Sequence, residues 1–405
     1  MILPKNWSLV SLSEIAASGR GTFSNGPFGS DLVKSDLTDV GIPVIYIRDI
    51  RDGYYDRVSA SCVTEEKAEQ LSACWVKPGD VLIAKVGDPP GTAAVYPEDQ
   101  PLGIVTQDVI RLRLNSEIAD SQYVRNWLNS PLGKHAVKSI TVEATRARFP
   151  LGDFKNLKLP LPPIAEQRRI AAILDRADAV RRKRQEAIRL TEELLRSAFL
   201  EMFGDPATNP KNWKTSVLRE VCRKVTDGTH HMPNTVEDGI PILRALNIKN
   251  DRVDKTDLLY ISKDDYQKIS KRSPLEKGDV LLTCLGTVGN VAIFNEESSF
   301  SLVRNIALLK PNYEKLTSEF LKFLLKTNYL QMQIKSRSKQ SSQAALYIGE
   351  IEQLKVFVPD LELQRKFSEL SKKIYYELCR KLEQDKSHQE NLFNSLLQRA
   401  FRGEL

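Results

Sequence analysis

The chain has 405 residues, 41% hydrophobic and 27% charged, with a net charge of +7 and a pI near 9.0. That length predicts two or three domains able to bury their own cores, and the basic balance suits a polyanionic partner. No apolar run approaches the roughly eighteen residues of a membrane span, and the start, Met1 to Trp7, lacks a signal-peptide core; the scattered Cys62, Cys74, Cys222, Cys284 and Cys379 form no C-x-x-C pair and read as buried free thiols in a reducing cytoplasm.

Residues 1–160 read as a mixed globular part. Short apolar runs predict strands at 43–47, 81–86, 93–95, 109–114 and 157–161. Lys77-Pro78-Gly79-Asp80 has the Pro and Gly positions of a type II turn. A helix is expected from Asp120 to Asn129, buried through Tyr123, Trp127 and Leu128 and ended by Pro131, and another from Thr64 to Leu71. The extended run Leu159-Pro160-Leu161 stops at Pro162-Pro163, where Pro suits the first helical position.

Residues 161–204 then read as one long helix, since no Pro or Gly interrupts Ile164 to Phe203. Ile170, Ile173, Ala177, Val180, Ala187, Leu194 and Ala198 recur at spacings of three, four and seven, a coiled-coil-like seam weakened by Arg184 and Thr191. At 1.5 Å per residue it would reach roughly 60 Å. Asp205-Pro206 and Asn209-Pro210 end it.

Residues 205–360 form the second globular part, with strands expected at 241–244, 280–284, 291–294, 306–309 and 354–358. Leu316 to Lys326 is expected to be helical, with Phe320, Phe323 and Leu324 in its core. Residues 361–405 return to a long helix with the seam Phe367, Leu370, Ile374, Leu378, Leu382, Leu392 and Leu396, broken by Asp385 and His388 or Gln389. Its polar remainder excludes a core helix, and pairing antiparallel with the central helix would bury both seams.

The chain is two copies of one unit. Asn6-Trp7 is answered by Asn212-Trp213, Gly41-Ile42-Pro43 by Gly239-Ile240-Pro241, and Gly79-Asp80-Val81-Leu82 by Gly278-Asp279-Val280-Leu281. Gly152-Asp153 is answered by Gly349-Glu350, Gln167-Arg168 by Gln364-Arg365, and Ala198-Phe199 by Ala400-Phe401, in unbroken order. Residues 8–40 and 214–238 differ strongly. A kept frame with diverged loops predicts one scaffold carrying two different recognition surfaces. The fold class expected is therefore α+β, two similar mixed α/β domains separated by two long helices forming an antiparallel coiled-coil spacer.

The candidate chemistry lies in the loops. Around the glycine-rich stretch from Arg20 to Ser30, the side chains of Thr22, Ser24, Asn25, Phe28 and Ser30 are of the types that meet phosphates or a groove. Arg48 and Lys85 leave strand ends, and Arg146 and Arg148 have no acid between them, suiting phosphate or guanine edges. In the second copy Thr229, His230, His231, Arg244, Asn247 and Arg304 complete the set. The basic, hydroxyl-rich run from Lys335 through Arg337, Lys339 and Gln340 to Gln343 occupies the place of the Arg146–Arg148 loop. His230 and His231 are adjacent and have no third ligand at a metal spacing. Asp88-Pro89-Pro90-Gly91 approaches an amino-methyltransferase motif but carries Gly where the aromatic would stand. No S-adenosylmethionine loop, Walker A motif or nuclease carboxylate set accompanies it. Gln167, Ile170, Ala177, Leu194, Gln364, Phe367, Ile374 and Leu396 are expected to make helix-pair or partner contacts.

Over its whole length the chain resembles the DNA-specificity subunits of type I restriction-modification systems. The resemblance rests on Leu161-Pro162-Pro163-Ile164-Ala165-Glu166-Gln167, the Lys-Pro-Gly-Asp-Val-Leu turn, Gly26-Pro27-Phe28-Gly29-Ser30 and the duplicated layout. It departs at Val358-Pro359-Asp360, which replaces the double Pro, and at Leu363 in place of Glu166. The resemblance implies two target-recognition domains, each reading half of a split double-stranded DNA site, on a helical spacer. It implies docking of two methyltransferase subunits that bind S-adenosylmethionine and methylate adenine, with motor-nuclease subunits for restriction. No cofactor and no membrane contact are expected of this chain. Two other readings stand beside it, a self-sufficient modification enzyme and a two-domain DNA-binding regulator.

Overall fold

The computed structural model describes residues 4–19, 21–27, 29–143, 145–271, 274–339, 344–374 and 386–405. Phe28, Gln340, Leu378, Cys379, Leu382 and Asp385 lie outside them. The chain divides into two compact units, Met1–Gln185 with Gln384–Leu405, and Glu186–Glu383.

In the first unit, Ser8–Ser11 pairs antiparallel with Lys158–Leu161 immediately before the helix Ile164–Phe203 begins. A four-stranded antiparallel sheet runs in the order Ala93–Val95, Val81–Ala84, Val109–Leu112, Phe23–Asn25. A second sheet runs Leu37–Thr38, Cys62–Val63, Ile42–Ile45, Gly103–Val105, Trp75–Val76, with Ile42–Ile45 and Gly103–Val105 parallel. Val81–Ala84 is an unbroken apolar run because alternate side chains face opposite ways. Val81 and Ile83 join the core beneath the helices, while Leu82 joins the core of the second sheet.

The second unit repeats this plan. Lys214–Val217 pairs with Lys355–Val358. One sheet runs Cys222–Asp227, Ile306–Pro311, Val280–Thr283, Val291–Ile293, and the other runs Thr235–Val236, Leu259–Ile261, Ile240–Leu243, Ser301–Leu302. Val280 and Leu282 again face one core and Leu281 the other.

Asp120 caps the helix Ser121–Asn129 by accepting from the Tyr123 amide, as its position before the apolar run predicts. Pro131 does more than end that helix. It opens a further one, Pro131–Ser139, capped by Ser130. The second copy does likewise with Asn328–Arg337, so Lys335 and Arg337 stand on a helical turn rather than in the expected loop.

The long-helix seam is displaced by about one position. In the first unit Ile170, Ala171, Leu174 and Asp178 are buried, whereas Val180 is 56% exposed. In the second, Thr191, Leu195, Phe199 and Phe203 are buried and Leu194 is 54% exposed. Ala177, Ile374 and Leu396 are half-buried. The reason is that each helix packs on its globular part as well as on the other helix, which rotates the buried face between the two. The start of the central helix shares a core with Leu397, Ala400 and Phe401, and its end with Phe367. Within the first unit the start of the central helix thus packs with the helix Lys386–Arg402, and within the second its end packs with the helix Leu361–Ile374.

Gln167 and Gln364 are not the helix-pair contacts expected of them. Gln167 is fully buried; its Oε1 accepts from the Asp120 amide at 2.9 Å and its Nε2 donates to the carbonyls of Ile118 and Pro162 at 2.9 and 2.8 Å. Gln364 makes the same three bonds, to the Thr317 amide and the Lys315 and Pro359 carbonyls, at 2.9, 2.9 and 2.8 Å. Each glutamine clamps its helix to the cap of the domain's own buried helix. Gln167→Leu is expected to cost about 1–3 kcal/mol for each buried group left without a partner, read as faster amide exchange at Asp120.

Candidate nucleic-acid interface

In each unit four segments meet at one end of the four-stranded sheet. In the first, the chain turns away after Phe23–Asn25 at Gly26, whose amide donates to the carbonyls of Thr106 and Val109, both at 3.3 Å. A Cβ there would lie 2.1 Å from the Val105 carbonyl oxygen, so only glycine fits. The Lys85 amide donates to the Asp108 carbonyl at 2.8 Å. Val142 and Arg148 exchange backbone bonds that close a narrow loop, and Gly87 fastens it by donating to the Ala147 carbonyl at 3.2 Å.

The second unit repeats these contacts. A Cβ at Gly228 would lie 2.1 Å from the Leu302 carbonyl oxygen. The Cys284 amide donates to the Asn305 carbonyl at 3.0 Å, Lys339 and Ala345 exchange the corresponding backbone bonds, and the Gly286 amide donates to the Ala344 carbonyl at 2.9 Å. The Asn25-Gly26 and Asp227-Gly228 dipeptides were the available sign of this correspondence, hidden by the divergence around them.

Exposed polar groups gather on this frame. Ser30, Arg146 and Arg148 are exposed, Lys85 is half-buried, and Ser24 and Asn25 lie on the strand Phe23–Asn25. Arg48 is exposed on the turn after Ile42–Ile45, with its Nε donating to Ser59 Oγ at 2.6 Å and its guanidinium 4.5 Å from the Tyr46 ring centre. In the second unit His231, Arg304 and Lys339 are exposed, and the Arg304 amide donates to the Thr229 carbonyl at 2.9 Å. His230 pairs with Asp227 at 3.1 Å and the Thr229 hydroxyl donates to the His231 carbonyl, so this loop is braced from within.

Other expected contacts are already committed. Asn247 is fully buried; it accepts from the Arg244 amide and donates to the carbonyls of Asp254 and Asp257, so it shapes a loop and does not face a ligand. Asp49 holds the matching place in the first unit. Arg244 pairs with Asp257 at 3.0 Å and Arg337 with Glu350 at 2.9 Å. Thr22 precedes the strand, at the end away from Gly26, and its hydroxyl donates to Ala17 and Gly19.

The aspartates of the repeated Gly-Asp-Val-Leu turns are structural. Asp80 accepts from the Lys77 amide and from both Nε and Nη2 of Arg113, at 2.7 and 2.6 Å. Asp279 accepts from the Glu276 amide and from Lys310 Nζ at 2.7 Å. Asp88-Pro89-Pro90-Gly91 lies in the connection between two antiparallel strands, with the Gly91 amide donating to the Ala84 carbonyl. Burial pushes the thiols of Cys222 and Cys284 up to about 12, as befits buried thiols. Among the described residues no group of three or more His, Cys, Asp or Glu is placed to hold a metal ion, and no helix is long and apolar enough to cross a membrane.

The family model described as the type I restriction modification DNA specificity domain matches twice, over residues 4–191 and 210–389. The chain belongs to that DNA-specificity family. The two matched segments fall one in each half of the chain. Among similar members, the type I restriction enzyme EcoBI specificity subunit of Escherichia coli is 24% identical, over 99% of this chain and 86% of that one. The putative MjaX specificity subunit of Methanocaldococcus jannaschii is 22% identical, over 98% and 93%. The crystal structure of a type I restriction-modification S subunit from M. genitalium shares the fold with a TM-score of 0.60 at 17% identity, covering 99% of this chain and 98% of that one.

Proposed function

We propose that this DNA-specificity family member directs a type I restriction-modification complex to a bipartite, asymmetric site in double-stranded DNA, and is itself non-catalytic. The observation that carries the reading is the duplicated sheet end. One backbone frame, down to the glycine that admits no Cβ, presents Lys85, Arg146 and Arg148 in one unit and His231, Arg304 and Lys339 in the other. Shared geometry with different side chains suits two half-sites of different sequence. Exposed Leu190 and Leu194 on the central helix offer apolar surface for a methyltransferase subunit. Two such subunits would bring S-adenosylmethionine and methylate adenine, motor-nuclease subunits would add restriction, and the assembly would work in the prokaryotic cytoplasm.

Purified chain incubated with DNA and labelled S-adenosylmethionine should transfer no methyl group until the methyltransferase subunit is added. Transfer by the chain alone would overturn the reading. Arg146→Ala in the assembled complex should weaken specific binding by about 1–3 kcal/mol and relax one base position in one half-site, seen by competition with single-base variants of the site.

A further inference from the structure

Tyr54 lies on the hairpin strand Tyr54–Tyr55, paired with Ile50–Arg51. Its hydroxyl donates to Asp178 on the central helix. The guanidinium of Arg182, also on that helix, lies 3.9 Å from its ring centre, and that of Arg125 lies 4.9 Å away. Arg125 in turn pairs with Asp175 at 2.5 Å and donates to the Gly53 carbonyl at 3.3 Å, while Asn126 donates to Asp175 at 3.2 Å. Asp178 is 5% exposed and also takes Arg181 at 2.7 Å and Arg182 at 3.1 Å. Burial, then the Asp178 carboxylate, holds the Tyr54 phenol above its usual range, so it stays a donor. Hairpin, domain helix and central helix are thus joined through one aromatic ring between cations.

The Gln167 clamp already fixes the start of the central helix. Asp178 lies eleven residues on, roughly 16 Å along the axis. Two anchors at that separation remove the pivot that a single clamp leaves. The latched hairpin also leads back to a candidate DNA contact. Asp56 donates to the Asp49 carbonyl at 2.9 Å, the Asp49 carboxylate accepts from Val58 and Ser59, and Ser59 receives the Arg48 side chain. In the second unit the positions of Tyr54, Arg125 and Asp175 are taken by Arg252, Lys322 and Lys372. Three cations thus stand where the first unit has a phenol, a guanidinium and a carboxylate, and Lys322 pairs with Glu319 at 3.0 Å.

We propose that Tyr54 and Asp178 are positioning residues that lock the first recognition domain onto the central helix, and so set how strictly the complex holds the gap between half-sites. This rests on the proposed function and goes beyond it. A lost brace should widen the range of gaps accepted while leaving the bases read unchanged. A mere loss of stability would lower methylation without admitting new gaps.

The test uses the full chain assembled with its methyltransferase, carrying Tyr54→Phe or Asp178→Asn, with genome-wide mapping of methyladenine. Sites whose gap is one base longer or shorter should gain about tenfold in methylation over wild type, the ratio that 1.4 kcal/mol of lost discrimination produces. Lys322→Ala should leave the gap as strict as before. Folded variants that keep the wild-type gap, or that lose methylation with no gain at neighbouring gaps, would overturn the proposal. A wild-type complex that methylates no bipartite motif would overturn the functional reading and this inference with it.

Discussion

Lys310→Met is expected to destabilise the second unit by about 3–5 kcal/mol, the range for removing one partner of a buried ion pair. Lys310 is 8% exposed and Asp279, its partner at 2.7 Å, is 1% exposed. Asp279 sits on the turn that leads into Val280–Thr283, a strand buried on both faces, while Lys310 also reaches the exposed Glu276 at 3.0 Å. Burial already holds Asp279 above the ordinary carboxylate range, against the pull of Lys310 and the Glu276 amide. Without the lysine it should rise further. A carboxyl raised in the folded state binds its proton more readily there than in the unfolded chain. It therefore favours folding at acid pH and loses that contribution as pH rises through the folded value. The deficit of the variant should shrink as pH is lowered from neutral, and thermal unfolding over a pH series would show it. A deficit that does not change with pH would mean that the lysine acts through packing.

Phe199→Ala should cost the same unit about 3–5 kcal/mol, the usual range for emptying a buried aromatic site. Phe199 is 1% exposed, with ring centres of Phe203, Phe320, Phe323 and Phe367 at 4.9, 5.5, 6.2 and 5.4 Å. It touches both helical segments and the buried domain helix together, so its loss loosens the spacer from the domain. Amide exchange should quicken along Ser318–Lys326 and Leu361–Ile374, with the first unit unchanged. Equal quickening in both units would contradict the division into separate cores.

The repeat and most strands were legible because apolar alternation and the Gly-Asp turns are local signals. Val81–Ala84 and Val280–Thr283 fall where their runs predict. The helix seam was legible only as to its existence. Ala177, Val180 and Leu194 fit a two-helix seam, but burial follows Leu174, Asp178 and Leu195, since the domain competes for the same helix. A carboxylate at a seam position reads as a defect until Tyr54, far away in sequence, supplies its partner. The candidate site was legible only as a set of basic, polar loops. What periodicity could not supply was which side chains are consumed internally. Asn247 and Arg304 are similar candidates by type, yet one is fully buried and the other exposed.

The most direct test of two recognition units on one frame is long-read mapping of methyladenine in cells carrying this chain with its methyltransferase, followed by exchange of residues 1–160 for another recognition domain. The wild type should yield an asymmetric motif in two parts with an unread gap, and the exchange should rewrite one part and leave the other intact. A continuous or palindromic motif, or an exchange that alters both parts, would contradict it.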